Sequence, residues 1–422
     1  MILGRFGKAL VAAEPRQSVI VFGPTGTFKT AGLAIPVLRE WDGPVVATSV
    51  KTDQILNTIA QRREHGRVFI FDPAKATGLP STRISPLVGC EDWGRAGRAA
   101  RWVVDAEQVS SGGLENSDFW FSSARRQLHP MFFAAARAGL SIADVLRWLE
   151  EGEQADDEIR PLLVEAGEPA ALRAWEVIWR REERQRSSIQ TTAEVALQAY
   201  GDPVVAEETA ATDFDPAQLV AGGCDTLFLY APEGEQDRLA PVFSVLIQMI
   251  RSAGQAVAAR RGQLDPALLV QLDEAGNVAA VPKLDSWAAT GGGQGMQINA
   301  IFQDFAQVRK VYGQGADTVV NNFGAKLFLQ ALGDPATLDY VSAITGLAEY
   351  RQRSRTAGEG GQRSTTEASI YQPMAPPNEV REAAEQTALL VYRDLPPARI
   401  RLRDYRTQKT GKRRNEKNSS VR

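Results

Sequence analysis

Short apolar runs alternate with amphipathic stretches in the first part of the chain. The runs at residues 18–22, 44–49 and 67–71 are short and apolar, which is typical of buried parallel strands. Residues 30–40 and 53–63, which lie between these runs, have the apolar spacing of helices. A strand–helix–strand–helix–strand order implies right-handed parallel crossovers, so the pattern predicts an α/β fold with a mostly parallel sheet.

The pattern changes between residues 91 and 212. Ala, Arg, Glu, Leu and Trp recur there at helical spacing, and strand-like runs vanish. We therefore predict an all-helical domain inserted at 91–212, with its tryptophans in the core rather than in a ligand site. These tryptophans are Trp93, Trp102, Trp120, Trp148, Trp175 and Trp179.

Strand-like and helical segments alternate again in the rest of the chain. A long helix is predicted at 237–260, and residues 1–90 and 213–422 together form the predicted α/β domain. Residues 351–372 are rich in Gly, Ser, Thr, Arg and Glu and are a predicted mobile loop, and the basic tail 404–422 is predicted to be disordered. The predicted strands of this part are 225–230, 267–272, 296–302, 325–330 and 388–392.

Composition and charge narrow the class of protein. Hydrophobic residues make up 44% of the chain and charged residues 23%, as in soluble globular proteins. The net charge of −3 gives no molecule-wide attraction for nucleic acid, so a DNA contact would need a local basic patch. The two cysteines, Cys90 and Cys224, lack CxxC spacing, and only two histidines occur. These counts argue against a disulfide framework, a zinc site and a His-built metal site.

The hydropathy pattern predicts no membrane-spanning segment. No run of 18 or more purely apolar residues occurs, and the N-terminus lacks the apolar core of a signal peptide. The best candidate, residues 131–149, is interrupted by Arg137, Asp144 and Arg147 and predicts an amphipathic helix instead. We therefore expect a cytoplasmic location, including a peripheral position at the inner face of the cell membrane.

A phosphate-binding motif lies between the first predicted strand and helix. Residues 23–30 read Gly-Pro-Thr-Gly-Thr-Phe-Lys-Thr, and backbone N–H groups at such a helix start can cradle phosphates. Lys29 would reach the β- and γ-phosphates of ATP, and the Thr30 hydroxyl would hold Mg²⁺. The predicted nucleotide-binding residues are Gly23, Pro24, Thr25, Gly26, Thr27, Phe28, Lys29 and Thr30.

Phe28 departs from the usual G-x-x-x-x-G-K-[ST] pattern, because it occupies the position of the last glycine. A Cβ and a ring at this position predict crowding of the phosphates or an altered backbone. On this basis Phe28→Gly is expected to raise nucleotide affinity or turnover.

Acidic and amide side chains follow two other predicted strands. Asp273 and Glu274 end an apolar strand, where Asp273 could hold Mg²⁺ through water and Glu274 could polarise the attacking water. A strand followed by an acidic turn is common, but its occurrence together with the phosphate motif predicts a nucleotide site. Gln303 follows the strand 296–302 and is predicted at the same sheet edge. There it would sense the γ-phosphate or position water, or else simply face solvent.

These segments, in this order and spacing, resemble the TraG/TraD-type coupling proteins of conjugative type IV secretion, especially their actinobacterial forms. The resemblance implies a RecA-like P-loop NTPase core, related to FtsK and HerA motors, with an inserted all-α domain. It assigns phosphate and Mg²⁺ binding to Lys29 and Thr30, action on metal and water to Asp273 and Glu274, and nucleotide sensing to Gln303. The matching segments are 23–26, 45–53, 71–73, 85–90, 272–277, 293–296, 303–304, 312–313, 322 and 395–397.

The resemblance also implies partners. A homohexamer would hydrolyse ATP to bring DNA, single-stranded and carrying its relaxase, to the subunits of a secretion channel, with membrane contact only through partners. The helical insert would dock the protein cargo. Asp53 is a weaker site candidate, because an acid at a helix N-terminus is also favoured by the helix dipole.

Two further departures bear on activity and location. Many relatives carry an arginine that acts across the subunit boundary and is worth about 10³-fold or more in rate. Gly292 holds that place here, so hydrolysis is expected to be weakened. Relatives usually begin with transmembrane helices, whereas this sequence begins almost at the first core strand. We therefore expect either a truncated, soluble or element-encoded variant, or a separate protein that supplies the membrane anchor.

Three functions remain open from the sequence. The first is an ATP-driven conjugative coupling protein, the second an FtsK/HerA-like DNA pump in another role, and the third a nucleotide-binding assembly protein that has lost hydrolysis. The candidates for DNA contact are the basic tail and residues 351–363. Solvated charge runs explain both segments equally well.

Overall fold

The computed structural model describes residues 1–110, 118–357 and 363–408. The strands are β1 (Ile2–Phe6), β2 (Ala9–Ala12), β3 (Val19–Phe22), β4 (Val45–Ser49), β5 (Val68–Phe71), β6 (Thr226–Tyr230), β7 (Leu268–Leu272), β8 (Met296–Phe302), β9 (Ala325–Leu329), β10 (Leu347–Ala357), β11 (Arg363–Pro373), β12 (Thr387–Tyr392) and β13 (Ala398–Arg401).

The helices connect these strands and fill the long interval between β5 and β6. They are α1 (Ile35–Glu40), α2 (Thr52–Leu56), α3 (Ile59–His65), α4 (Trp93–Ser110), α5 (Asp118–Arg137), α6 (Ile142–Glu151), α7 (Asp156–Ala166), α8 (Pro169–Trp179), α9 (Glu183–Leu197), α10 (Pro203–Thr209), α11 (Pro216–Leu219), α12 (Gln236–Arg261), α13 (Leu284–Thr290), α14 (Phe305–Tyr312), α15 (Ala316–Asn321), α16 (Pro335–Thr345) and α17 (Pro377–Arg381).

One large sheet organises the molecule and confirms the predicted α/β fold. Within the described residues, eleven strands pair in the order β2-β1-β13-β12-β9-β3-β8-β7-β4-β6-β5. Neighbours run parallel from β9 to β5 and antiparallel from β9 through β12 and β13 to β2. Because β8 lies between β3 and β7, the residues that follow these three strands meet at one edge of the sheet.

Helices cover both faces of the parallel part, which is why its strands are apolar throughout. All four side chains of β3 are buried. On one face, Leu38 and Ile55 of the short first helices pack against the sheet. On the other face, Val104, Phe132 and Phe243 of α4, α5 and α12 belong to a second core that continues into the helical region. The helices between β5 and β6 thus share a core with the sheet, and the domain boundaries at 91 and 212 stay a prediction.

The hairpin β10–β11 corrects the prediction of a mobile loop at 351–372. Its strands pair antiparallel from Leu347↔Pro373 to Ala357↔Arg363. The polar composition that predicts a loop is compatible with a strand here because the side chains of residues 349–353 and 367–369 are exposed. Cross-strand pairs such as Arg353–Glu367 accompany its backbone pairing. Residues 358–362 lie outside the described residues.

The start of the tail predicted to be disordered is ordered by contacts with the rest of the chain. Residues 404–408 form a turn, and the backbone N–H of Tyr405 donates a hydrogen bond to the Ala31 carbonyl oxygen at 3.2 Å. The prediction is therefore wrong for this short segment, because its backbone groups find partners beside the first helix. The remainder, residues 409–422, lies outside the described residues.

The buried tryptophans confirm part of the core prediction. Trp148 and Trp175 are 1% and 2% exposed, whereas Trp120 is 37% exposed and Trp102 is half-buried. Among the described residues, only α12 is long and apolar enough to cross a membrane by length and composition, and 61% of its most apolar window is buried in the protein. A mostly buried core helix passes the same test, and α12 packs against the sheet as such a helix does.

Candidate functional site

The loop between β3 and the first helix is held in a tight phosphate-loop shape. The backbone N–H of Gly23 donates to the carbonyl oxygen of Phe302 at 3.1 Å, which ties the loop to the end of β8. Gly26 has a φ of +83°, a left-handed conformation that glycine adopts at little cost. The Thr27 hydroxyl donates to the Pro24 carbonyl oxygen at 2.7 Å. The loop is thus closed by a hydrogen bond between two of its own residues.

Lys29 lies inside this loop. Its Nζ donates to the carbonyl oxygens of Gly23 and Pro24, each at 2.6 Å, and the residue is 7% exposed. Burial lowers the pKa of Lys29, while the nearby carboxylates of Asp273 and Glu274 act in the opposite direction. The ammonium group is therefore placed where a phosphate oxygen can replace a loop carbonyl as its partner.

Phe28 takes the backbone conformation for which glycine is normally used. Its φ is +71°, which costs an L-residue about 1–2 kcal/mol. The ring packs on the first turn of the helix, where a Cβ added to Gly32 would lie 2.4 Å from the ring Cδ1. The guanidinium carbon of Arg406 lies 5.7 Å from the ring centroid. The backbone at Phe28 thus keeps a left-handed conformation typical of glycine, and the ring packs on Gly32 and Arg406.

The C-terminal segment crosses this first turn and was not anticipated from the sequence. Residues 30–34 form a π-helical turn, whose wider winding leaves carbonyl groups available. The N–H groups of Arg403 and Tyr405 donate to the carbonyl oxygens of Gly32 and Ala31 at 3.3 and 3.2 Å. Arg403 also pairs with Glu40 at 2.7 Å. We call residues 402–406 the C-terminal clasp.

Asp273 and Thr30 meet across the sheet edge. The Thr30 hydroxyl donates to Asp273 Oδ2 at 3.0 Å, and Asp273 is 4% exposed. Burial raises the pKa of Asp273 to about 6, aided by repulsion from Glu274 and opposed by the Thr30 hydrogen bond and Lys29. A desolvated carboxylate beside a hydroxyl is a hard-oxygen donor pair that a divalent cation would stabilise.

Thr30 and Asp273 therefore fit Mg²⁺ as part of a site in which bound phosphates would supply the remaining oxygen ligands. Among the described residues, no cluster of three or more His, Cys, Asp or Glu side chains could hold a metal ion by itself. Thr30 and Asp273 are the protein groups that would hold the ion.

Glu274 is the first member of a hydrogen-bonded chain. Asn277 Nδ2 donates to Glu274 Oε2 at 3.3 Å, and Gln307 Nε2 donates to Asn277 Oδ1 at 2.9 Å. Gln307 Oε1 accepts from the backbone N–H of Gln303 at 2.9 Å. The predicted water-polarising group and the predicted sensor are thus joined by Asn277 and Gln307.

Neither Asn277 nor Gln307 was singled out as a site residue. Asn277 belongs to the segment 272–277, which contributes to the family resemblance. The sequence therefore indicated that this segment matters but not what Asn277 does. Gln307 lies one helical turn beyond Gln303 on α14, and no motif marks it. A Cβ added to Gly276 would lie 2.5 Å from Gln307 Cγ, so this glycine gives Gln307 its space.

The rim of the site includes Gln303, Lys51 and Asp53. Gln303 follows β8 directly beside the phosphate loop, since Phe22 of β3 is in register with Phe302. The charge of Lys51 lowers the pKa of Lys29, and the charge of Asp53 raises that of Asp273, so both act on the site. Asp53 Oδ1 also accepts from the Gln54 N–H, as expected of an acid at a helix start.

A comparison with models of protein families shows the family of this chain. The model of the family described as "Type IV secretory system Conjugative DNA transfer" matches residues 3–422. The chain belongs to this family. The resemblance found in the sequence motifs is thereby confirmed.

Curated relatives in the conjugative DNA transfer family are distant and longer. The conjugal transfer protein TraG of Escherichia coli is 25% identical over 398 residues, which cover 86% of this chain and 61% of the relative. The protein VirD4 of Rhizobium radiobacter is 23% identical over 438 residues, which cover 97% of this chain and 59% of the relative. The chain thus spans about three-fifths of the length of the relatives it matches.

Solved structures share the fold over nearly the whole chain. The bacterial conjugative coupling protein TrwBdeltaN70, in its unbound form, has a TM-score of 0.71 at 19% identity and covers 96% of this chain and 88% of its own. The plasmid coupling protein TrwB in complex with ADP and Mg²⁺ has a TM-score of 0.68 at 19% identity, with 94% and 88% covered. The predicted RecA-like P-loop fold with a helical region is confirmed.

Gly292, the position predicted to replace an arginine, is tightly packed against the backbone. A Cβ added there would lie 2.1 Å from the backbone carbonyl oxygen of Arg16. A side chain at this position would therefore require the backbone at Arg16 or in the turn 291–294 to shift. That an arginine of the relatives corresponds to Gly292 stays a prediction.

Proposed function

We propose that this edge of the sheet binds ATP with Mg²⁺ and hydrolyses it to drive conjugative DNA transfer. The proposal is supported by membership of the conjugative DNA transfer family and by the fold shared with TrwB, which was solved with ADP and Mg²⁺. The observation that carries it is the meeting of Thr30 and Asp273 at 3.0 Å beside the enclosed Lys29.

Each residue has a role that its geometry permits. Lys29 leaves the carbonyls of its own loop and binds the β- and γ-phosphates, and the loop N–H groups bind the phosphate oxygens. Thr30 and Asp273 hold Mg²⁺. The ion, when bound, neutralises the charge that develops on the phosphates. Glu274 polarises the attacking water and takes its proton, while Gln303 positions that water or senses the γ-phosphate.

The wider role includes the partners that the family suggests. The chain would act as a coupling protein that recruits single-stranded DNA and its relaxase to the channel subunits, with the helical region as the docking surface for protein cargo. A homohexamer would be the working unit. The location would be cytoplasmic or peripheral at the inner membrane face, with membrane contact through partners.

ATP hydrolysis by the purified chain, measured with and without single-stranded DNA, tests the proposal. We expect turnover that requires Mg²⁺ and rises with DNA, and that Lys29→Ala abolishes. Lys310→Ala is the matched control, because Lys310 is an exposed lysine on α14. Wild-type protein that neither binds nor hydrolyses ATP would refute the proposal.

A second candidate is a nucleotide-binding assembly protein without hydrolysis. It is favoured by the packing that excludes an arginine at Gly292 and by the unusual Phe28. Tight Mg²⁺–nucleotide binding without turnover, in the presence of DNA, would select it. An FtsK/HerA-like pump in another role remains a third reading, and neighbouring genes for a relaxase and channel subunits would argue against it.

A further inference from the structure

A continuous groove runs between α4 and α12, outside the nucleotide site. Three adjoining cavities of about 190, 210 and 450 Å³ form it. The first shares Arg98 and Trp102 with the second, and Arg101, Asp105 and Lys283 with the third. From Arg95 to Val109 the α4 wall is about 20 Å long at 1.5 Å per residue. Pro282 and Lys283, at the start of α13, close one side.

The groove walls are strongly basic. On α4 the cations recur every three residues, which places them on one face of the helix. Five of the six cations are exposed, and Arg251 is half-buried with its guanidinium carbon 5.0 Å from the Trp287 ring centroid. In the described parts of the chain, none of the six is in an ion pair. The cations are Arg95, Arg98, Arg101, Arg251, Arg260 and Lys283.

The carboxylates near the groove are too few to neutralise its cations, and some of them already interact with other groups. Asp105 lines two of the cavities and pairs with Arg125 at 2.6 Å, and it also interacts electrostatically with Lys283 and Arg101 without direct contact. Asp215 accepts from the Ala217 N–H and so caps α11. Asp285 offsets the desolvation of Arg251 only in part, because burial still lowers the pKa of that guanidinium.

Elsewhere in the helical region, several arginines have carboxylate partners. Arg147 contacts Glu151 and Glu158 at 2.9 and 3.0 Å, and Arg160 contacts Asp156 at 3.0 Å. Single unpaired arginines also occur on exposed helices and need no explanation. Asp105 and Asp285 act on only three of these six cations, so the cations repel each other and their clustering along one groove is unfavourable unless a further anion lies between them.

We propose that this groove binds the sugar–phosphate backbone of single-stranded DNA. The inference rests on the proposed DNA-transfer function and names the surface that performs it. A single strand carries one negative phosphate per nucleotide, and contacts of these phosphates with Lys and Arg supply most of the affinity of sequence-independent binding. Trp102 lines the groove and is half-buried, so the exposed part of its ring is a candidate for stacking with a base. A regular phosphate row matches the repeating cations better than an acidic peptide does.

A short segment connects the groove to the nucleotide site. Residues 274–283 run from Glu274 to Lys283, and they are fastened to α12 on the way. Ser244 Oγ donates to the Ala280 carbonyl oxygen at 3.3 Å, and Gln248 Nε2 donates to the Pro282 carbonyl oxygen at 3.0 Å. DNA bound in the groove can therefore affect the position of Glu274, the water-polarising carboxylate, through a few hydrogen-bonded residues.

Fluorescence anisotropy with a labelled oligothymidylate of about 20 nucleotides tests the inference on the full chain. We expect Arg98→Glu with Arg101→Glu to raise the Kd at least about tenfold and to reduce the salt slope by about 1.4, because each single-strand phosphate contact contributes about 0.7. The control is Arg173→Glu with Arg184→Glu, two exposed arginines on α8 and α9 that make no ion pair within the described residues. Trp102→Leu should weaken binding about fivefold without changing the salt slope, because stacking releases no counterions.

The outcomes separate the groove from the proposed function. If the wild type binds the oligonucleotide and both double variants bind it equally well, the groove inference fails while the function stands. If the wild type binds no oligonucleotide, the DNA-transfer function fails with it. Equal affinity for polyglutamate would overturn the inference in favour of an acidic protein partner. Unchanged ATP hydrolysis without DNA in the Arg98/Arg101 variant shows that the fold is intact.

Discussion

The nucleotide edge and the α4–α12 groove differ in how their charges are matched. At the edge, Lys29 is enclosed by two carbonyl oxygens, and Asp273 accepts from Thr30. In the groove, none of the six cations forms a direct ion pair within the described residues, and the charges of Asp105 and Asp285 act on three of them without direct contact. The first region is satisfied by its own chain, whereas the second is complete only with an external anion.

This difference indicates how the two regions respond to their ligands. At the edge, a nucleotide has to displace internal hydrogen bonds, so its binding rearranges the phosphate loop. In the groove, a polyanion meets side chains that are already exposed, so its binding is mainly electrostatic and sensitive to salt. Variants that affect one region and leave the other intact would sharpen the comparison.

The largest expected effect is that of Glu274→Gln on hydrolysis. The amide cannot take the proton of the attacking water, and a general base contributes roughly 10²–10⁴-fold. We expect turnover to fall at least about 100-fold, with nucleotide affinity and single-strand binding unchanged. Steady-state ATPase assays and anisotropy on the same preparation measure the three quantities. A loss of DNA binding in this variant would show that the two regions are not separate.

Gln307 should have an intermediate effect as a positioning residue. Gln307→Glu keeps an oxygen to accept from the Gln303 N–H but loses the N–H donated to Asn277. We expect kcat to fall about tenfold, part of what the general base contributes, while KM for ATP stays constant. A merely structural role would instead lower the melting temperature and change KM, and Lys310→Ala on the same helix serves as the control.

Asp273→Asn should separate stability from function. The pKa of an aspartate in an unfolded chain is about 3.9, whereas folding raises the pKa of Asp273 to about 6. The folded state therefore binds more protons between these values, so this group's contribution to stability is largest at low pH and is lost as the pH rises through 6. The desolvated charge at pH 7.5 destabilises the fold by up to about 3 kcal/mol.

In thermal unfolding without nucleotide, we expect the Asp273→Asn variant to melt about 2 °C or more above the wild type at pH 7.5. The difference should shrink toward pH 5, where the wild-type carboxyl is protonated. Binding of Mg²⁺–nucleotide should be lost in the variant. A variant that melts below the wild type at pH 7.5 would contradict the origin of the pKa shift.

The smallest expected effects are those at Phe28. Phe28→Gly relieves about 1–2 kcal/mol of left-handed strain but loses the ring contacts with Gly32 and Arg406, so the two changes nearly offset each other. Phe28→Ala loses the ring and keeps the strain. We therefore expect the glycine variant to be more stable than the alanine variant by about 1 kcal/mol, the reverse of the usual order in a helix.

The ring position also changes the expectation for nucleotide binding. Because the ring packs on Gly32, crowding of the phosphates is no longer the reason to expect a gain from Phe28→Gly. We expect nucleotide affinity to change less than about threefold, well under 1 kcal/mol. A gain of tenfold or more would restore the original interpretation that Phe28 is a defect of the loop.

The sequence predicted the parallel core well because its strands are buried on both faces. Such strands are continuous apolar runs, so β3 and β8 were visible at nearly their observed bounds. The hairpin β10–β11 and the antiparallel strands β1, β2 and β13 at one end of the large sheet are held by backbone pairing, and β1, β2 and β13 mix exposed with buried side chains. Their residue pattern therefore carries little signal, and composition alone suggested a loop.

The site follows the same division. Lys29, Thr30, Asp273 and Glu274 stand next to recognisable strands, so topology alone brings them together. The C-terminal clasp lies more than 360 positions from the helix turn it contacts, as the Arg403–Glu40 separation of 363 shows. Gln307 enters through a side-chain contact that no spacing encodes. The basic groove combines residues of α4, α12 and α13, and it emerges only once these helices are packed.

Calorimetric titration with Mg²⁺ and a non-hydrolysable ATP analogue tests the nucleotide site most directly. We expect the wild type and Lys310→Ala to bind one nucleotide per chain in the presence of Mg²⁺, and Lys29→Ala to bind at least about 100-fold more weakly, because a charge-assisted phosphate contact is lost. Equal binding by Lys29→Ala, or no binding by the wild type, would contradict a nucleotide site at this edge.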